Sequence, residues 1–105
     1  MFLGYSEIRQ MLRSDQNPAL LRAVATELKA RRVALGLSQY GLAHEADVHR
    51  TFISKLEMGT ANPSLTALYR LAEGLEVEPA ELVRAISKRY RKELRNESRD
   101  HDPLP

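Results

Sequence analysis

The sequence predicts an all-α protein, and three features of its apolar residues and turns support this. Apolar residues recur every three or four positions within short blocks, which places them on one face of a helix. Residues that favour turns separate these blocks, and no segment alternates convincingly between apolar and polar residues. We therefore expect one domain of five helices, the last of which is extended at its C-terminal end, with an extra short helix before the domain.

The first block predicts a short amphipathic helix near the N-terminus, whose apolar stripe must dock on another surface. Its apolar residues are Tyr5, Ile8, Met11 and Leu12. Asn17 and Pro18 then predict an N-cap followed by proline at the first helical position, and Gly36 ends the helix that they open. The residues expected on its inner face are Leu21, Val24, Leu28 and Leu35.

Two short helices come next. Ser38 is expected to cap the first of them, which ends near Ala46, and the second runs from about Arg50 to Met58. The residues expected to be buried in the pair are Leu42, Ala43, Ala46, Ile53 and Leu56. Two short helices joined by a turn of about three residues have the geometry of a helix-turn-helix, with the outer face of the second helix left free.

The last two helices are predicted to begin after Ser64 and at Pro79. Apolar residues continue along the last one well past the point where the domain could end, among them Leu82, Ile86, Tyr90 and Leu94. We therefore divide the chain into an N-terminal helical extension (1–17), a helix-turn-helix domain (18–86), an extension of the last helix (87–100) and a disordered tail (101–105).

Composition and charge exclude several classes of protein. The 105 residues include no cysteine, which rules out disulfide-stapled, iron–sulfur and thiol-nucleophile chemistry. No apolar run approaches the roughly 18 residues of a membrane span, and a secretory signal is absent, so we expect a soluble, cytoplasmic protein. The three histidines lack metal-ligand spacing, and no nucleophile or phosphate-binding motif is present, so we expect no metal, no cofactor and no enzyme activity.

The free side of the second short helix has the side chains that a DNA surface requires. The residues expected to be exposed on this side are Arg50, Thr51, Ser54 and Lys55. Arginine and lysine can donate to guanine O6 and N7, and threonine offers both a hydroxyl and a methyl group. The alternative for the same residues is a merely solvated helix face. The net charge of +2 does not by itself predict attraction to a polyanion.

Five blocks occur in order between about residues 20 and 86: Gly36-Leu37-Ser38-Gln39, Leu42-Ala43, Ile53 to Gly59, Asn62-Pro63-Ser64-Leu65, and Leu68 to Leu75. With these blocks the sequence resembles the Xre/Cro-type (lambda-repressor-like) helix-turn-helix DNA-binding family. The resemblance implies a lambda-repressor-like fold and binding of double-stranded DNA, with the second short helix in the major groove.

The resemblance also implies roles for single residues. Gln39 is expected to contact a phosphate and to buttress the second short helix, and Arg32 is expected to form a structural salt bridge with Glu57. Phe52 is expected either at the DNA or at the edge of the core. The full set of residues expected at DNA is Gln39, Tyr40, His49, Arg50, Thr51, Phe52, Ser54, Lys55, Thr60 and Asn62.

Three residues depart from the family pattern. Asp47 replaces the glycine of the turn and tolerates left-handed geometry better than most residues. Gly41 replaces a helix-favouring residue. His49 stands where serine or threonine normally caps the second short helix, which predicts a weaker cap.

The two extensions of the chain favour a homodimer. We expect their apolar residues to form an extra contact layer, either within the chain or across a twofold dimer, unless the last helix is simply frayed and solvated. The residues of this layer are Tyr5, Ile8, Leu12, Ile86, Tyr90 and Leu94. A dimer doubles the DNA contacts and fixes half-sites about 34 Å apart.

The leading hypothesis is a transcriptional regulator, a repressor or an autoregulator, that binds a pseudo-palindromic operator as a homodimer and lies with the nucleoid when bound. The sequence does not choose between a restriction-modification controller, a phage repressor and an antitoxin. The alternative is an antitoxin-like or adaptor module that mainly binds a toxin-like partner protein, which the modest net charge, Asp47 and His49 favour slightly.

Overall fold

The computed structural model describes residues 4–13 and 17–100, which form six helices and no strand. The helices are α1 (Tyr5–Arg13), α2 (Pro18–Ala34), α3 (Gln39–Ala46), α4 (Arg50–Glu57), α5 (Leu65–Gly74) and α6 (Pro79–Asp100). The all-α class, the short first helix and the long last helix are confirmed. The tail expected at 101–105 lies outside the described residues. No helix in the described ranges is both long and apolar enough to cross a membrane.

Three helices begin at the capping residues that the sequence indicates. The side chain of Asn17 accepts a hydrogen bond from the Leu20 amide at 3.2 Å. Ser38 and Ser64 do the same for the third residue of α3 and of α5, at 2.9 and 3.0 Å. Each cap satisfies one of the backbone donors that a helix start leaves without an intrahelical partner, which explains why these elements begin where they do.

The core lies where α2 packs on α4 and α6, and where α3 packs on α4 and α5. Its largest fully buried side chains are Leu28, Leu42, Ile53, Leu56, Leu71 and Leu82. Gly74 at the end of α5 lets that helix approach α3 closely, because a Cβ atom there would lie 3.0 Å from both the backbone nitrogen and the Cβ of Ala46. The core thus holds the inner face of α4, which carries Ile53 and Leu56, and leaves the opposite face of this helix exposed to solvent.

Leu35 does not belong to this core, and the expectation that it faces inward is wrong. Helix α2 ends at Ala34, and Leu35 is its C-cap with 42% of its surface exposed. Gly36 then takes a left-handed conformation (φ 71°) and turns the chain back. As a result Leu37, rather than Leu35, packs against the core.

The extension of α6 packs on α2 of the same chain. Asn17 donates from Nδ2 to the Tyr90 hydroxyl at 3.0 Å, and Arg22 donates to Glu93 at 3.0 Å and also to Glu97. The hydrogen bonds to Glu93 and Glu97 raise the pKa of Arg22. Ile86 is buried and Tyr90 packs against the core, while Leu94 is partly buried. Of the expected contact layer, Ile86 and Tyr90 therefore pack within the chain.

The apolar stripe of α1 behaves differently. Tyr5 and Ile8 are both exposed, and the guanidinium carbon of Arg9 lies 5.8 Å from the centroid of the Tyr5 ring. The side chain of Leu12 lies outside the described part of the chain. Intramolecular docking of this stripe, one of the two expected arrangements, is therefore not observed for Tyr5 and Ile8.

Glu27 is a buried carboxylate that joins α2 to α6. It accepts from Arg31 one turn further along α2, and from Nε of Arg89 on α6 at 2.7 Å. Burial by itself raises the pKa of Glu27, but the hydrogen bonds from Arg89 and Arg31 outweigh burial, so the net direction of the pKa is downward. The ionised form is therefore the one that the fold stabilises.

We expect Glu27→Gln to destabilise the protein at neutral pH by about 1–3 kcal/mol, since it removes an ionised hydrogen-bond acceptor. Because the folded-state pKa is lowered, the contribution of Glu27 is fully present above its unfolded pKa of about 4.3 and is lost as the pH falls through the folded value. Urea unfolding of both proteins between about pH 7 and pH 3 should show the difference shrinking with acid. Glu73→Gln, at an exposed residue without an ion pair to any described group, is the matched control. A Glu27→Gln deficit that stays constant with pH would contradict the assignment.

Candidate nucleic-acid interface

Helices α3 and α4 are joined by a tight turn at residues 47–49, as the helix-turn-helix prediction requires. Asp47 closes α3 in the left-handed conformation (φ 54°, ψ 51°), and its amide donates to the His44 carbonyl at 3.2 Å. The Asp47 carbonyl in turn accepts from Arg70 of α5 at 3.4 Å. Aspartate thus occupies the position that glycine would otherwise fill, without loss of the turn.

His49 caps α4 with its side chain, at the position where the family pattern has serine or threonine, and the expected weakening of this cap stays a prediction. Its Nδ1 atom accepts a hydrogen bond from the Thr51 amide at 3.0 Å, with His49 in an extended conformation. This is the bond that a serine or threonine oxygen normally provides. The imidazole can accept it only while Nδ1 carries no proton.

The outer side of α4 is open. Ile53 and Leu56 point into the core, while Arg50, Thr51 and Lys55 are exposed. Ser54 is partly buried and donates to the sulfur of Met58 at 3.9 Å. The structure therefore brings the two cations and the threonine together on one exposed helix face about 12 Å long.

Arg32, Gln39 and Glu57 meet at the C-terminal end of α4. Arg32 donates to both carboxylate oxygens of Glu57, at 2.6 and 2.9 Å, and to the Leu37 carbonyl at 2.8 Å. Nε2 of Gln39 donates to Glu57 Oε1 at 3.3 Å. The side chains of the ion pair are only 12% and 5% exposed, and the hydrogen bonds to Glu57 raise the pKa of Arg32. This junction locks α2, α3 and α4 together.

Tyr40 meets Arg50 at the other end of α4. The guanidinium carbon of Arg50 lies 4.9 Å from the centroid of the Tyr40 ring, and 71% of Tyr40 is exposed. Neighbouring residues at the start of α3 therefore contact α4 at both of its ends, Gln39 at Glu57 and Tyr40 at Arg50.

The remaining predicted site residues fall into two groups. Phe52 is partly buried and packs against the core, in line with the structural one of its two expected roles. Thr60 and Asn62 are exposed in the loop after α4, where the Thr60 hydroxyl donates to the Lys55 carbonyl at 3.1 Å. This bond ties the loop to the last turn of α4, so the loop continues the exposed surface of that helix.

Two contacts of the site, Tyr40 with Arg50 and Gln39 with Glu57, could not be predicted from any pattern in the sequence. Tyr40 and Arg50 are ten positions apart on different helices, and Gln39 and Glu57 are eighteen apart. Periodicity identifies which face of a helix is buried, but it does not show which exposed side chains of two crossing helices meet. Only the crossing of α3 and α4 brings these pairs together.

Comparison with known proteins agrees with this geometry. A helix-turn-helix family model matches residues 28–82, just over half of the chain. The control protein C.BamHI of Bacillus amyloliquefaciens is 41% identical over 58 residues, which cover 52% of this chain and 72% of that protein. The structure of the restriction-modification controller protein C.AhdI from Aeromonas hydrophila is 37% identical and has a TM-score of 0.57, over 59% of this chain and 94% of that one.

A further solved structure contains DNA. The restriction-modification controller protein C.Esp1396I, as a tetramer in complex with its natural 35 base-pair operator, is 30% identical with a TM-score of 0.62. The match covers 68% of this chain and 93% of that one. The family match and the similarity over most of each relative's length lead to one conclusion: the chain belongs to the helix-turn-helix family, among relatives that include the control proteins of restriction-modification systems.

Proposed function

We propose that this protein is a sequence-specific DNA-binding transcriptional regulator of the controller type, which binds a pseudo-palindromic operator as a homodimer. The observation that carries the proposal is the exposed face of α4, on which Arg50, Thr51 and Lys55 lie together while Ile53 and Leu56 hold the helix in the core. A helix presented in this way fits the major groove, where arginine and lysine recognise guanine. The protein would lie with the nucleoid while it is bound.

The relatives support the controller type over the phage-repressor and antitoxin types that the sequence left open. C.BamHI is a control protein, and C.AhdI and C.Esp1396I are restriction-modification controllers. The C.Esp1396I complex is a tetramer on a 35 base-pair operator, which supports assembly of more than one copy on DNA. All three relatives are named as control or controller proteins, which supports a regulatory role without catalysis for this protein.

The first experiment is selection of bound duplexes from a random DNA library, followed by titration of the selected duplex at two salt concentrations. We expect a palindromic consensus with half-sites about one helical turn apart, and an affinity that falls steeply with salt because phosphate contacts release counterions. Binding that appears only at low salt, with no enriched sequence, would refute the regulator and favour the partner-binding alternative.

Two variants separate base contacts from phosphate contacts. We expect Arg50→Ala to relax the preference at one base pair of each half-site, at a cost of about 1–3 kcal/mol. Gln39→Ala should instead weaken binding to all sequences alike, because it removes the proposed phosphate contact and the hydrogen bond to Glu57 that helps to hold α4, and neither carries sequence information. Competition titrations with single-base-pair variants of the selected duplex measure both effects. An unchanged base preference in Arg50→Ala would refute its assignment as a base contact.

A further inference from the structure

We propose that Tyr40 is a positioning residue for Arg50, and that the stack between them helps to set which base edge the guanidinium recognises. This inference rests on the proposed function, because it assigns a role within the same surface. The contact that carries it is direct: the Arg50 guanidinium carbon lies 4.9 Å from the Tyr40 ring centroid, within the range of a cation–π interaction.

The stack leaves the donors of Arg50 available. An aromatic ring has no lone-pair oxygen for the guanidinium to bond, so the five N–H donors of Arg50 remain available for stronger hydrogen-bond acceptors. Among the side chains that the structure describes, those of residues 4–9 and 17–97, no carboxylate forms an ion pair with Arg50. Tyr40 thus orients the side chain without competing for the hydrogen bonds that guanine O6 and N7 would accept.

The position of Arg50 makes its orientation matter for recognition. Arg50 is the first residue of α4, and the N-terminal residues of such a helix are the ones that contact base edges. An unrestrained arginine at an exposed helix start samples many rotamers. Holding its side chain in the one rotamer that binds DNA costs conformational entropy. The Tyr40 ring on α3 contacts the guanidinium and so restricts those rotamers before DNA arrives, which lowers that cost.

The exposure of Tyr40 argues against a structural role for its ring. With 71% of the residue accessible, the ring adds little to the core. Its neighbour Gln39 already links α3 to the far end of α4 through Glu57, so the junction of the two helices does not depend on Tyr40. The stack on Arg50 is therefore the interaction of this ring that a substitution would remove.

The test compares Tyr40→Leu and Tyr40→Phe, each with Arg50 intact and in the Arg50→Ala background. The probe is the duplex selected by the wild-type protein, together with duplexes in which one base pair at a time is replaced. Phenylalanine retains a ring for the cation, whereas leucine retains apolar bulk without it. Thermal unfolding of each variant confirms that the fold is unaffected.

We expect Tyr40→Leu to reduce discrimination at the base pairs that Arg50 recognises by about two- to fivefold, and Tyr40→Phe to keep the wild-type profile. In the Arg50→Ala background, Tyr40→Leu should have no further effect on that profile. Three results would overturn the proposal: an unchanged profile, a uniform loss on all duplexes, or a loss that persists without Arg50. Failure of the wild-type protein to select any duplex would instead refute the regulator itself.

Discussion

Replacement of Arg32 by alanine is expected to lower the free energy of unfolding by about 3–5 kcal/mol. The reason is that Glu57, with only 5% of its side chain exposed, would keep its charge in the interior without its main partner. The Leu37 carbonyl would also lose the donor that Arg32 supplies at 2.8 Å. Small domains have a free energy of unfolding of only about 5–15 kcal/mol, so this substitution would remove a large part of it. Urea unfolding followed by circular dichroism measures the loss.

Arg22→Ala is the matched control for this experiment. Arg22 also forms ion pairs with glutamates, but 47% of its side chain is exposed, and exposed pairs contribute about 0–1 kcal/mol. The two substitutions remove the same side chain from the same helix, so their difference isolates burial. Equal losses in the two variants would show that the Arg32–Glu57 pair is no more important than a surface pair.

Leu56→Ala is expected to cost about 2–5 kcal/mol, since it leaves a cavity behind the exposed face of α4. Leu56 is fully buried, and together with Ile53 it holds this helix in the core. Loss of the anchor should also weaken binding to the selected operator, because the position of α4 would be less well defined. Chemical unfolding and operator titration measure the two effects separately.

Met58→Ala, just beyond the same helix, serves as the control. Met58 is 71% exposed, and surface substitutions of this kind usually change stability by no more than about 0.5 kcal/mol. The outcome that would contradict the argument is a loss in Met58→Ala as large as that in Leu56→Ala.

Much of the fold could be predicted because the signals for it are local. The caps at Asn17, Ser38 and Ser64 act within three residues of the helix starts that they define, and apolar spacing within each helix identifies its buried face. Leu35 was predicted wrongly because its spacing fits the inner face of α2, but the helix stops one residue earlier. A helix end is thus less visible in the sequence than a helix start.

The candidate site was predictable only in part. The exposure of Arg50, Thr51 and Lys55 follows from the helical position of Ile53 and Leu56, and the pairing of Arg32 with Glu57 was suggested by family resemblance. The capping bond to His49 was not evident from the sequence, because imidazole is a less common capping group than a hydroxyl, although its Nδ1 can accept the same bond.

Side-chain contacts between segments far apart in the chain could not be predicted from the sequence. The side-chain pairs that join α2 to α6 are between 62 and 75 positions apart, and neither helix shows which part of the other it will meet. The buried Glu27 is an example: its spacing to Arg31 is visible, whereas its contact with Arg89 depends on the packing of the two helices.

The inward pairing of Glu93 and Glu97 with Arg22 has a consequence for the opposite side of α6. Because these acids and Arg89 face α2, the outward side chains of α6 include many cations. Arg84, Lys88, Arg91, Lys92 and Arg95 are all exposed, and none forms an ion pair with another described residue. Two copies that approached through this side would repel each other, with a range of about 10 Å at 0.1 M salt. The contacts that hold the helix in place therefore also disfavour side-by-side aggregation along it, although the chain as a whole carries a net charge of only +2.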